Sequence, residues 1–315
     1  PKASQPAGQP GQSASRKELS PGRQERTRQT SGDGSRSDAG RLFAVKVIIT
    51  KAFDDKGDSL VNSEVIYSTR QEVKIWRHVG RHENVVELVE AFFEKKLCYL
   101  VMEKCEQTLM ERLFQFGQQG ARTRQVFSEM LRGIRRCHEV EVVHRDIKPE
   151  NFLYGGADGQ TIKLCDFGLA TRMPRIGWLQ GICGTPPYMS PEMLAKKRYG
   201  YNTDIWSFGA TLYLLLFGSF PYMPAQVDND GMKQAILQGV PAPTFTRTQE
   251  KEKAVMEEMQ NRRSESKQRS EKKLRLAADF NRLLLDRDPA TRPTCEAALA
   301  LPYFCDAEAT EDAAL

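Results

Sequence analysis

One lysine interrupts an otherwise apolar run at LFAVKVII (42–49). An ammonium buried in such a strand is costly without a counter-charge, so Lys46 calls for a carboxylate close by. Residues 60–79 supply one. Read at helical period, Val65, Glu72 and Trp76 fall on a single, inward face. Further on, HRDIKPEN (144–151) holds Asp146, Lys148 and Asn151, and DFG (166–168) opens on Asp166. Carboxylate and amide oxygens are the hard ligands that magnesium takes. A carboxylate can also accept a hydrogen bond from a hydroxyl while staying ionised at neutral pH. A cation, a helix-borne carboxylate and a group of hard oxygens suit chemistry on phosphates, where positioning and charge neutralisation outweigh covalent catalysis.

The hydrophobic pattern outlines the scaffold these side chains need. LFAVKVII reads as a strand. VVELVEAFF (85–93) and LCYLVME (97–103) read as two more, joined by the charged turn EKK. Beyond residue 106 the pattern turns mainly helical. Phe127, Met130, Leu131, Ile134 and Cys137 mark an amphipathic helix that ends just before VVHRD. IWSFGATLYLLLF (205–217) is apolar nearly all round, which predicts a helix in the centre of a domain. The charged stretch 246–273 interrupts this part as an exposed, partly helical insertion, with Val255, Met256 and Met259 as its apolar face. No internal repeat is present.

Size and composition narrow the class. With 315 residues, 40% of them hydrophobic, the chain can bury a sizeable core. The longest apolar run, around Leu212–Phe217, is too short to span a bilayer. The sequence opens on Pro1 with neither a signal-peptide pattern nor a Met-Gly start, which reads as a fragment or an incomplete gene product. The seven cysteines (Cys98, Cys105, Cys137, Cys165, Cys183, Cys295 and Cys305) are odd in number and never spaced as CxxC. That spacing argues for a reducing compartment, the cytoplasm with the nucleus as the other option, and against zinc. The net charge is +5, with +4 on residues 1–41, +4 on residues 247–275 and −3 on the rest. Residues 1–41 are rich in Gln, Ser, Gly, Pro and Arg, hold Leu19 as their only large apolar residue, and read as a disordered basic tail. They contain no aromatic residue to stack on bases, which weighs against nucleic-acid binding.

HRDIKPEN, DFG, SPE (190–192), DIWSFG (204–209) and DPATRPT (288–294) follow one another in a fixed order. Together they resemble the eukaryotic protein kinases over about residues 42–304, and the catalytic-loop and DFG patterns belong to that family's signature set. The resemblance implies an α+β, two-lobed protein-kinase-like fold: a small N-lobe (42–105), here lacking its first two strands, and a large helical C-lobe (106–304), followed by a short tail (305–315). It implies transfer of the γ-phosphoryl group of ATP to protein Ser/Thr hydroxyls, with ATP and Mg2+ as cofactors and a monomer as the working unit. By resemblance, Asp146 would orient the acceptor hydroxyl and Lys148 would neutralise the moving phosphoryl group. Asn151 and Asp166 would hold magnesium, and Lys46, held by Glu72, would meet the α and β phosphates. Ala44 and Leu153 would touch adenine, Met102 would stand as gatekeeper, and Glu103 and Cys105 would offer hinge backbone groups. Cys165 reads as a small buried hydrophobe. Glu192 and Arg292 resemble the structural ion pair of the large lobe, and Asp204 its buried helix anchor. GTPPY (184–188) points to the serine/threonine type. HRDIKPENFLY with YLLLFGSFPY resembles most the calcium/calmodulin-dependent branch, including calcium-dependent protein kinases.

Several departures stand beside this resemblance. The family's phosphate-covering G-x-G-x-x-G-x-V is not matched in QERTRQTSGDGSRSDAGRLF, where Gly32 and Gly34 give only G-x-G and Gly40 matches a hairpin glycine. Losing a preorganised donor costs about a hundred- to a thousand-fold in rate. The segment 169–184 holds only Thr171 as a phosphate acceptor, too near DFG to serve, and no Asp or Glu lies between Asp166 and Glu192. Control by activation-loop phosphorylation is therefore not expected. DNDG (228–231) would put Gln226 and Leu237 where an EF-hand needs carboxylates, so no EF-hand is read there. Glu150 matches a position that attracts basic residues of substrates. A second reading, a catalytically impaired scaffold, rests on the missing loop and the absent acceptor.

Overall fold

The computed structural model describes residues 42–53, 59–94, 96–116, 120–246 and 264–305. The expectations for 1–41, including the Gly32–Gly34 segment, and for 306–315 lie outside these residues, as does 247–263 of the charged stretch.

Among the described residues, the small lobe holds β1 (Phe43–Ile49), β2 (Lys51–Phe53), β3 (Ser59–Val61) and helix α1 (Ser63–Val79), then β4 (Leu88–Phe93) and β5 (Leu97–Glu103). Strands β1, β5 and β4 make an antiparallel sheet in that order. Among the described residues β1 lies at its edge. Ala44 stands opposite Met102 and Lys46 opposite Leu100. Residues on one side of a strand share a face, so Ala44, Lys46 and Ile48 point together while Val45, Val47 and Ile49 point outward and stay exposed.

Two local boundaries differ from the sequence pattern. The helix expected from residue 60 starts at Ser63, because the Asn62 side chain accepts hydrogen bonds from Glu64 N (3.1 Å) and Val65 N (3.2 Å). Residues 59–61 instead pair with 51–53. The run VVELVEAFF also divides. Val86 N donates to Leu164 O (2.9 Å) and Leu164 N to Asn84 O (2.9 Å), which commits residues 84–86 to the large lobe and leaves 88–93 to the small-lobe sheet.

The large lobe follows with β6 (Gln107–Thr108), α2 (Leu109–Phe116), α3 (Gly120–Glu139), β7 (Val142–Val143), β8 (Phe152–Gly155), β9 (Thr161–Leu164) and β10 (Thr171–Arg172). It ends with α4 (Pro191–Leu194), α5 (Asn202–Phe217), α6 (Asn229–Gln238), α7 (Ser264–Leu284), α8 (Cys295–Leu299) and α9 (Pro302–Cys305). Helix α5 is the centre the sequence called for: Trp206, Phe208, Leu212 and Phe217 are fully buried. Helix α7 packs so close to it that a Cβ at Gly209 would lie 2.9 Å from Leu284 Cβ. Only glycine fits there. Asn281 Nδ2 donates to Gly209 O across the same contact. Arg292 closes the lobe with paired bonds to Glu192 (2.7 and 2.8 Å) and a guanidinium 4.9 Å from the Trp206 ring centroid. Both partners are buried, so the pair satisfies two charges that neither could leave alone.

Candidate active site

The catalytic-loop residues are fixed from below by one carboxylate. Asp204, at the start of α5 and fully buried, accepts hydrogen bonds from His144 N (2.9 Å) and Arg145 N (2.8 Å). Its Oδ2 also meets His138 Nε2 at 2.9 Å. Burial opposes ionisation of Asp204, but the His138 bond and charge and the His144 contacts hold its carboxyl below the usual range. For His138, burial disfavours the imidazolium, and the neighbouring Cys295 sulfur and Asp204 carboxylate overcome this, raising it to about 10. Backbone strain falls where chemistry is expected, with Arg145 of the anchored loop at φ 65° and Asp166, which opens DFG, at φ 63°.

On that base, Asp146 sits in a network of short polar contacts. Lys148 Nζ lies 2.8 Å from Asp146 Oδ2 and donates to Thr185 Oγ1 at 2.9 Å, while Thr185 donates to Asp146 Oδ1 at 2.9 Å. Asn151 Nδ2 donates to Asp146 O (2.7 Å) and Oδ2 (3.1 Å). Its amide oxygen accepts no hydrogen bond among the described residues, and its backbone O receives Cys165 N (2.9 Å), next to Asp166. Thr185, within GTPPY, has no role that its local sequence marks except as a hydroxyl directly after Gly184. The missing Cβ of Gly184 lets the segment lie against Arg145 O; a Cβ there would approach that oxygen to 2.6 Å.

Lys46 joins this group from the small lobe. Its Nζ lies 2.9 Å from Glu72 Oε1 and 3.6 Å from Asp166 Oδ1. Burial works against the ammonium, yet the Asp166 and Glu72 carboxylates raise its pKa above the ordinary lysine value. Glu72 is itself buried, which pushes its carboxyl upward, and Lys46 offsets this only in part. Asp166 is held below the usual range: burial opposes ionisation, but Lys46, the Gly168 N–H and the His144 and Lys148 charges prevail. Helix α1 is locked to DFG by Trp76, whose ring lies 5.5 Å from that of the buried Phe167 and whose Nε1 donates to Val86 O at 2.7 Å.

Of the residues assigned to adenine and the hinge, Ala44 lies on β1, Met102 and Glu103 on β5, Leu153 on β8 and Cys105 between β5 and β6. Ala44 faces Met102 across β1 and β5, and Leu153 on β8 is half-buried. Glu103 N donates to Glu87 O (2.9 Å), while its carboxylate meets Lys163 Nζ at 3.1 Å, a tie between lobes that the sequence reading missed. Cys105 N makes no backbone hydrogen bond among the described residues, so a donor is left at the hinge. Its thiol is pushed up to about 12 by burial, and the Cys165 thiol is pushed up further by burial and by Asp166. Both are protonated, inert side chains.

Arg145, beside Asp146, has its guanidinium engaged within the large lobe. Its Nε donates to Leu169 O (2.8 Å) and its Nη1 to the Tyr199 hydroxyl (3.4 Å).

Comparison with known proteins agrees with this geometry. The family described as "Protein kinase domain" matches residues 32–304. The chain is 35% identical over 279 residues to the calcium/calmodulin-dependent protein kinase type 1 of Caenorhabditis elegans, covering 86% of this chain and 68% of the relative. It is 34% identical over 284 residues to the protein of the same name from Macrobrachium nipponense, covering 88% and 71%. To calcium-dependent protein kinase 24 of Arabidopsis thaliana it is 39% identical over 177 residues, covering 55% and 30%. These matches favour the kinase and lend nothing to the scaffold reading. The family uses ATP and a divalent metal in general and acts on protein substrates. With the motifs in order, the site assembled and the family matched along most of its length, the chain belongs to the protein kinase family, as a serine/threonine kinase of the calcium/calmodulin-dependent and calcium-dependent branch.

Proposed function

We propose that this chain binds ATP with magnesium between Lys46 and Asp166 and transfers the γ-phosphoryl group to a serine or threonine hydroxyl presented at Asp146. The observation that carries the reading is the convergence of Lys46, Glu72 and Asp166 within 3.6 Å contacts, beside the linked Asp146, Lys148, Asn151 and Thr185. The donor set fits a magnesium ion held jointly with a nucleotide. Among the described residues no group of three or more His, Cys, Asp or Glu side chains could hold an ion alone. The Asp166 carboxylate and the unengaged Asn151 oxygen would leave the remaining positions for phosphate oxygens, the usual magnesium arrangement. Magnesium, when bound, would neutralise phosphate charge.

The chain's own residues supply the rest. Asp146, with Oδ1 on Thr185 and Oδ2 on Lys148, accepts the hydrogen bond of the incoming hydroxyl and aligns its lone pair. As the acceptor O–P bond forms and the bond to the ADP oxygen breaks, the hydroxyl proton passes to Asp146. Lys148, bonded to Asp146 and Thr185, stabilises charge on the moving group. Ala44, Met102 and Leu153 line the adenine side, and Cys105 N–H is the hinge donor. Glu150, exposed on the turn after Lys148, favours a basic residue near the acceptor. Seven unpaired thiols support a reducing compartment, the cytoplasm or nucleus.

The test is phosphorylation of a serine peptide with a neighbouring arginine, followed by mass spectrometry. Transfer that requires magnesium and disappears on chelation is the expected result. No transfer at any magnesium concentration would overturn the reading.

A further inference from the structure

The segment facing the acceptor site has an unusual charge balance. From Phe167 to Pro191 there is no acidic residue, and Glu192 is buried and neutralised by Arg292. Exposed on this segment are Arg172 and Arg175, and on the stretch paired with it through Leu179 and Tyr199 are Lys196, Lys197 and Arg198. Arg172 has a partner in Glu141 at 3.3 Å. Arg198 stacks over the Trp178 ring at 4.3 Å, which keeps its charge. Arg175, Lys196 and Lys197 have no ion-pair partner among the described residues.

This cluster is tied to the acceptor carboxylate by a continuous series of contacts. Gln180 Nε2 donates to Lys196 O (3.2 Å), and Leu179 and Tyr199 exchange backbone hydrogen bonds of 2.8 and 3.0 Å. The Tyr199 hydroxyl lies 3.9 Å from Cys183 Sγ, and two residues later Thr185 bonds Asp146. The basic residues are thus held on the segment that borders the site. Charges interact across about 8 Å at physiological salt, so a peptide that runs from the acceptor along this segment feels them.

We propose that Arg175, Lys196, Lys197 and Arg198 form a basic shelf that selects protein substrates carrying acidic residues next to the acceptor hydroxyl. This rests on the phosphoryl-transfer reading above and adds a second charge preference to that of Glu150. The shelf suits an acidic peptide better than a nucleic acid. One face of its aromatic ring, Trp178, is already taken by Arg198, which weakens it as a platform for base stacking.

The experiment compares peptides with one serine and one arginine that differ only in flanking residues, three aspartates or three alanines on either side. The wild-type protein should favour the acidic peptide in kcat/KM. In the Arg175→Glu/Lys197→Glu double variant, the ratio of acidic to alanine peptide should fall about tenfold, the size expected from a few exposed charge pairs. Binding of the same peptides without nucleotide, read by fluorescence anisotropy, separates the shelf from the chemistry. If no peptide is phosphorylated but the acidic one still binds in a salt- and shelf-dependent way, the shelf stands and the transfer reading fails. A wild-type ratio at or below one would overturn the proposal. So would a ratio unchanged by charge reversal, or equal loss for both peptides.

Discussion

Two charged centres in this molecule, Asp204 and Lys46, are built in opposite ways. Asp204 is fully buried, and its two oxygens take two backbone N–H groups and an imidazole. Lys46 stands on β1 with 40% of its side chain exposed and shares its ammonium between Glu72 and Asp166. The first centre is saturated and cannot accept a ligand. The second has an ammonium with exposed surface, a carboxylate held ionised and, among the described residues, the Asn151 amide oxygen without a partner. The contrast fits a structural role for the large-lobe anchor and the nucleotide binding proposed for the small-lobe corner. A polar group that is complete supports the fold, and one left incomplete is where chemistry can enter.

The largest effect should come from Asp204→Ala. It leaves the His138 imidazolium and two backbone donors buried without their acceptor, a loss of about 3–5 kcal/mol. Thermal melting should move down by many degrees or the chain should fail to fold. A near-native melting temperature would break the contrast. Lys46→Met should do the reverse. Its pair is partly exposed and screened, so melting should shift by no more than about 1 kcal/mol. Glu72, already pushed toward protonation by burial, takes up a proton when the lysine goes. Phosphoryl transfer should meanwhile fall about a hundredfold or more, as for loss of a preorganised cation or donor.

The pH dependence sharpens the same point. His138 is raised from an ordinary value of 6.5 to about 10 in the folded protein. Its contribution is therefore fully present below pH 6.5 and is lost as pH rises toward 10. Stability followed by urea denaturation should decline across that window in the wild type, with a flatter profile in His138→Gln. Equal slopes would contradict the assigned pair. The smallest effect concerns Arg145, whose guanidinium is occupied by Leu169 O and Tyr199. Phosphatase treatment should leave the transfer rate within a factor of about two, since no loop phosphate is needed to complete that arginine. A phosphopeptide from 169–184 whose removal abolishes activity would refute this.

Much of the site was legible because its chemistry resides in charged residues in short, ordered motifs. Lys46 declared its need for Glu72 through the apolar run around it, and α5 declared itself as central through its all-round hydrophobicity. What could not be read arises from contacts between distant segments. VVELVEAFF looks like one strand, yet Val86 is claimed by Leu164, far along the chain. The hairpin of β2 and β3 contains no long alternating run. Thr185 and Asp146, or Glu103 and Lys163, meet only once the large lobe has folded, and no local spacing marks them.

The account stands or falls on separable roles for the two sides of the site. Calorimetric titration of ATP with and without magnesium into wild type, Asp166→Asn and Asp146→Asn tests this directly. The prediction is that Asp166→Asn loses the magnesium-dependent gain in affinity, while Asp146→Asn keeps it and loses only transfer to peptide. Retention of that gain by Asp166→Asn, or its loss in both variants alike, would contradict the account.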